Sequence, residues 1–317
     1  AQYPQVPVGA VMGRVEAQAP MSRSALGVSQ ADHSYFAGAQ RDGTLQIANP
    51  RHLYNLRYHR ADAAYVQTGD VDWSQAAAYH GGRFVPLTAF VARDDEGVAT
   101  GVGASAAFSG NYDGKGHAIL NLDIEQSTPM GGLFAQLGWG AQAHDLTLQQ
   151  AHVVAGSRSG ILAGQMLGDA RVANCTVEES AITGVGAQTT MVGGLVGELN
   201  REGFERPERP SVEASVVRKS QVALGGEAQP ALGVAGGLAG SSQGALVDSR
   251  VEESSVTAYV SGNEAVLGGL VGQQEGWVSG CVSQETYVAG NASVMGGFLG
   301  KTGFLSSLGK ERGDNQV

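Results

Sequence analysis

Three acidic pairs stand close enough along the chain to suggest acid–base chemistry: Asp70 with Asp72, Glu178 with Glu179, and Glu252 with Glu253. Glycan hydrolysis uses two carboxyl groups about 5 to 9 Å apart across a cleft. Asp70 and Asp72 alternate on one face of an extended segment and are read as bonding turns. The glutamate pairs flank outward positions of a repeat and are read as solvated charge, with Arg218 and Lys219 on an intermediate repeat supplying the opposite sign. No catalytic residue is assigned to any of them.

Metal and phosphate chemistry find no better footing. The histidines at 33, 52, 59, 80, 117, 144 and 152 lack the HExxH spacing by which one helix face offers two imidazoles to zinc. No metal ligand and no cofactor are therefore expected. The stretch DGKGH at 113–117 is glycine-rich like a phosphate loop, but neither Gly-Lys-Ser/Thr nor a helix start follows it. It is read as a turn between strands.

The elements that must carry these residues are set by composition and repetition. Glycine, at 48 of 317 residues, is about double its usual share of about 7%. Yet 42% of residues are hydrophobic and 16% charged, which excludes ordinary disorder, and no Gly-X-Y period suggests collagen. A formal charge of −10 argues against nucleic acid or an anionic membrane as partner, since both reward clustered Lys and Arg. No apolar run is long enough to span a bilayer and no leader opens the sequence, so the segment as given is expected to be soluble, which is compatible with a secreted parent whose leader and anchor lie outside it. The cysteine count of 2 excludes a disulfide scaffold.

Glycine corners recur as GGLFAQ at 131, SGILAGQ at 159, GGLVGEL at 193, GGLAGSS at 236, GGLVGQQ at 268 and GGFLGKT at 296. A second segment recurs after them: ANCTVEESAI (173–182), EASVVRKSQV (213–222), VDSRVEESSV (247–256) and SGCVSQETYV (279–288), joined by HDLTLQQAHV (144–153). LNLDI (120–124) is aligned with the first half of that segment, placing Leu122 beside Leu146 and Ile124 beside Leu148. Small or apolar positions alternate with polar ones, which is strand periodicity. A repeat of roughly 28 residues made of short strands and glycine corners describes a β-solenoid.

Cys175 and Cys281 then share a column with two coils between them. Three spacings of about 4.8 Å give about 14 Å, beyond the reach of a disulfide. Both are expected as free, small core residues.

The N-terminal third differs. Residues 1–45 read as a linker or the tail of a preceding module, and 46–130 as an N-terminal cap with the first coils. Asn49 and Pro50 start a short helix over 50–60, expected to lie across the open end of the stack. AYVQTGDVDW (64–73), RFVPLTAFV (83–91) and FSGNYDGKGHAILNLDI (108–124) read as strands entering the first coils. Repeats occupy 131–304 and a tail 305–317.

The repeated GGLVG followed by segments such as RVANCTVEES resembles the GLUG motif. The order PRHLYNLRY, YVQTGDVDW, FVPL, FSGNYDGKGHAILNL strengthens the likeness, which covers roughly 47–300. The chain resembles the GLUG-repeat β-helical modules of bacterial surface proteins, found in adhesin-like proteins and beside IgA-cleaving metallopeptidases. That resemblance implies an all-β, right-handed parallel β-helix on the outside of a bacterium, with no catalytic residue to carry over. SGILAG at 159 and the charged insertion in the coil beginning at 193 depart from the pattern.

The insertion ELNREGFERPERP (198–210) is the candidate for specific binding, through Arg201, Phe204, Arg206 and Arg209. Arg312-Gly313-Asp314 spells an integrin-type tripeptide and is read as a chance match. The favoured function is a non-catalytic surface module, an adhesin stalk or binding domain contacting host or matrix glycan or protein. The alternatives are a substrate-positioning domain of a surface metallopeptidase and a polysaccharide-cleaving β-helix.

Overall fold

The computed structural model describes residues 35–303, apart from 78–79, 88–91, 94–98, 102–106, 126–128, 187–188, 203–207, 226–231 and 261–263. Each coil is built from five short strands, as in Arg171–Ala173, Thr176–Glu178, Ala181–Gly184, Thr189–Gly193 and Val196–Asn200. We number the walls 1 to 5 in that order. Stacked coils turn them into sheets of nine, seven, six, six and six strands, an all-β solenoid with one short helix in its N-terminal region.

Pairing is parallel throughout the five walls except at the first strand of wall 1, Gly38–Ala39, which runs antiparallel to Leu45–Ile47. That reversal closes the stack at its N-terminal side and falls inside the stretch expected as linker. Residues 1–34, 304–317 and with them the Arg-Gly-Asp tripeptide lie outside the described residues.

Four glycine corners stand in register as aligned, Gly193, Gly236, Gly268 and Gly296 being successive partners in wall 4, whereas the corner at 159 is offset: Gly131 pairs with Ser159, but it is Gly160, one residue later, that pairs with Gly193. Here the chain turns from wall 4 into wall 5 with almost no room. A Cβ on Gly193 would lie 2.0 Å from the Val196 oxygen, and one on Gly194 2.1 Å from the Gly237 oxygen. Backbone against backbone is what only glycine permits.

Two further corners per coil use no glycine in most coils. Between walls 1 and 2 the left-handed position is held by Asp145, Asn174, Ala214 and Asp248, with φ of 46 to 53°, and by Gly280. Between walls 2 and 3 it is held by Asn121, Gln150, Glu179, Lys219, Glu253 and Glu285, with φ of 47 to 57°. Such residues cost on the order of 1 kcal/mol each or more, so the surrounding structure must hold them.

Serines hold them in the coils that have one at the next position. Ser180, Ser220 and Ser254 each donate a hydroxyl to the carbonyl two residues back, at 2.7 to 2.8 Å. Each hydroxyl also accepts a backbone N–H from the preceding coil: Ala151 N to Ser180 Oγ, Ser180 N to Ser220 Oγ, and Ser220 N to Ser254 Oγ. Cys175, Ser215 and Ser249 form the equivalent row between walls 1 and 2. These columns are hydrogen-bonded ladders inside the core.

Aliphatic columns fill the rest, such as Leu148, Val177, Val217 and Val251 in wall 2 and Ile124, Val153, Ile182, Val222 and Val256 in wall 3, all buried. At the N-terminal end aromatics replace them: Phe108 stacks on Phe134 at 4.8 Å and Tyr112 meets Phe134 edge-on. The helix spans Pro50–Asn55 and tightens into a 3-10 turn over Leu56–Tyr58, so the expected helix ends early. Asn49 Oδ1 accepts the His52 N–H at 3.0 Å, while Leu53 and Leu56 pack into the core of the first coil.

Two expected assignments need correction. Residues 83–87 form no strand; Leu87 alone bridges to Phe134, beside Pro86, which has no N–H to give a ladder. LNLDI belongs five residues later than aligned: Ile119 pairs with Leu148 and Ile124 with Val153. The left-handed Asn121 resets the alternation, turning Leu120 half out and Leu122 fully in.

Candidate binding surface

The corner between walls 5 and 1 is where the coils differ most. It takes four residues at 138–141, three at 168–170, two at 243–244 and two at 275–276, but ten at 201–210. The long one is the insertion singled out from the sequence.

Its two ends are fixed. On entry, Arg201 N donates to Gln243 Oε1 at 3.4 Å, and Glu202, in a left-handed conformation, donates its N–H to Asn200 Oδ1. On exit, Pro210 is buried and its oxygen accepts the Ala245 N–H. Arg201 is half-buried and Arg209 exposed. Phe204 and Arg206 lie outside the described residues.

Trp139 was missed by sequence reasoning and stands at this corner. Its indole Nε1 donates to Glu202 Oε2 at 2.7 Å, across the intervening coil. The ring covers Gly168, where a Cβ would meet it at 2.2 Å, and Gly140 N donates to Asp169 Oδ1 alongside. The available signal was a tryptophan between two glycines at a corner position, GWG at 138–140. The result is a half-buried aromatic plate hydrogen-bonded to a carboxylate, a combination that suits sugar rings or a polar peptide.

Next to it runs a polar row on wall 5. Gln136 Nε2 donates to Gln165 Oε1 and Gln165 Nε2 to Glu198 Oε2, both at 2.6 Å. Arg158 Nε reaches the same Glu198 oxygen at 2.5 Å. Gln243 Nε2 donates to Glu275 Oε2 further along. These side chains hold one another in place and give the corner a rigid margin.

The acidic pairs read as structural are engaged as such. Asp70 accepts the Ala118 N–H, and Asp72 accepts from Ser74 and Asn121. Burial works against the Asp72 charge, but hydrogen bonds from Asn121, Ser74 and Gln75 outweigh it and hold that carboxyl below the usual range. Glu178 pairs with Arg218 at 2.8 Å on wall 2, and Glu252 stands 3.6 Å from Arg250. Both cysteines are free, Cys175 buried and Cys281 half-buried.

No family model matches the chain. A stretch of 143 residues, 43% of this chain, is 34% identical to halomucin of Haloquadratum walsbyi, of which it spans about 1%. Among solved structures, a Bacteroides ovatus protein named provisionally as an immunoglobulin A1 protease superposes with a TM-score of 0.56 at 18% identity, over 85% of this chain and 75% of that one. The second likeness is one of fold.

Proposed function

We propose that the chain is a non-catalytic surface module of a bacterial protein, a stiff solenoid presenting the wall 5 to wall 1 corner to host or matrix glycan or protein. One observation carries this reading: a ten-residue corner, tied at both ends and braced by Trp139, on a scaffold whose other described corners there take two to four residues. Rigid scaffolds with one enlarged loop concentrate binding in that loop. The similarity to a mucin-named protein and to a protein named for cleaving an immunoglobulin accords with a place outside the cell. Among the described residues no helix is long and apolar enough to cross a membrane.

The second name supports a further reading, a substrate-positioning domain beside a protease in a longer chain. A polysaccharide-cleaving β-helix ranks below both, because Asp70 and Asp72 are engaged in turns and Glu178 and Glu252 stand beside arginines.

The test is a glycan and matrix-protein array probed with the wild type and with a variant in which 201–210 is replaced by the Gln-Gly of the 243–244 corner. Circular dichroism establishes that both remain β-rich. Binding by the wild type that the short-corner variant loses is the expected result. Equal binding by both would move the site elsewhere, and none by either would make the module a spacer.

A further inference from the structure

Where wall 1 turns into wall 2, adjacent coils bring together Asp113, His144 and Asp145. Asp113 and His144 are direct partners in the parallel ladder, and Asp145 follows in the left-handed corner position. One ligand atom from each lies within 4.8 Å of the others. His144 Nδ1 is 2.7 Å from Asp145 Oδ2 and 3.7 Å from Asp113 Oδ1.

The other ring nitrogen bears on what faces the carboxylates. His144 Nε2 is 3.0 Å from Asn111 Oδ1, and with the amide oxygen in that position, where it can only accept, the matching tautomer carries its hydrogen on Nε2. In the neutral ring Nδ1 then turns a lone pair toward two carboxylates. Three acceptors converging on one point require a positive centre among them, either a proton on Nδ1 or a metal ion.

We propose that this corner is a site for one divalent transition-metal ion, held by His144 Nδ1, Asp145 Oδ2 and Asp113 Oδ1, with solvent completing the shell. Bonds of about 2.1 Å at tetrahedral angles place donors about 3.4 Å apart, and the distances found here straddle that spacing. An imidazole nitrogen among the ligands favours zinc and its neighbours over calcium or magnesium. The Nε2 hydrogen bond to Asn111 is the outer contact that fixes the tautomer of a ligating histidine.

The remaining contacts orient the carboxylates. Asn174 donates to Asp145 Oδ1, Lys115 N donates to Asp113 Oδ1 at 2.8 Å, and the Lys115 ammonium lies 3.3 Å from Asp113 Oδ2, on the outer side. His144 and Asp113 keep side-chain exposures of 27% and 17%, so an ion can reach them from solvent. The ligands come from successive coils, which is why no sequence spacing announced them.

The probe is zinc chloride titrated calorimetrically into the chelator-treated chain near neutral pH. One saturable site is expected in the wild type and in His152→Gln, whose histidine pairs with Asp123 elsewhere on the surface. His144→Gln should abolish it, Asn111→Ala should weaken it about 10- to 100-fold, and excess calcium should not displace the zinc. Should His144→Gln fail to fold, the ring nitrogen shifts of wild-type His144 decide: zinc must move Nδ1 and leave Nε2 protonated. No saturable binding, equal binding by folded His144→Gln, or a ring protonated on both nitrogens and indifferent to zinc would overturn the site.

Discussion

Ser180, Ser220 and Ser254 show how single residues let a tight coil close. A left-handed residue breaks the parallel ladder at each corner, and a buried N–H without an acceptor would cost about 1–3 kcal/mol. The hydroxyl of the next coil supplies that acceptor. Ser220→Ala should therefore lower stability by about 1–3 kcal/mol, read as a lower urea midpoint with an unchanged slope; an unshifted midpoint would contradict the ladder. Cysteine plays the same part less well. Burial pushes the Cys175 thiol up to about 12, and burial raises Cys281 as well, though the latter is partly open to solvent. At pH 8 iodoacetamide should label Cys281 first and Cys175 only on unfolding, as followed by mass spectrometry. Equal labelling rates would mean the core row is not formed.

At the scale of elements, the walls were legible because their columns repeat. Val177, Val217 and Val251 line up from sequence alone, and the registers of those coils hold in the structure. The glycine corners were legible for the same reason. What could not be read was the pair of left-handed corners, since Asp145, Gln150, Lys219 and Glu253 share no residue type. Their trace was present in the spacing: inward positions run two, three and two apart, as in Cys175, Val177, Ser180 and Ile182, and the step of three marks the turn. Reading that step would have set LNLDI correctly, with Asn121 at the corner. The candidate site was half legible. An insertion is visible as a broken period, whereas Trp139 and the Asp113, His144 and Asp145 group depend on which coils adjoin.

At the scale of the molecule, each described coil from Gln142 onward rests on the one before it through five walls, so this part of the stack is held along its whole circumference as in a stiff solenoid. Such a stack holds one corner in a fixed direction, and on this account that corner is the site of contact. Amide hydrogen exchange, measured with and without the ligand that the array identifies, tests this most directly. The account predicts added protection at 138–141, 168–170, 200–202 and 208–210, with walls 2 and 3 unchanged. Protection confined to walls 2 and 3, with the corner exchanging as in the free protein, would contradict it.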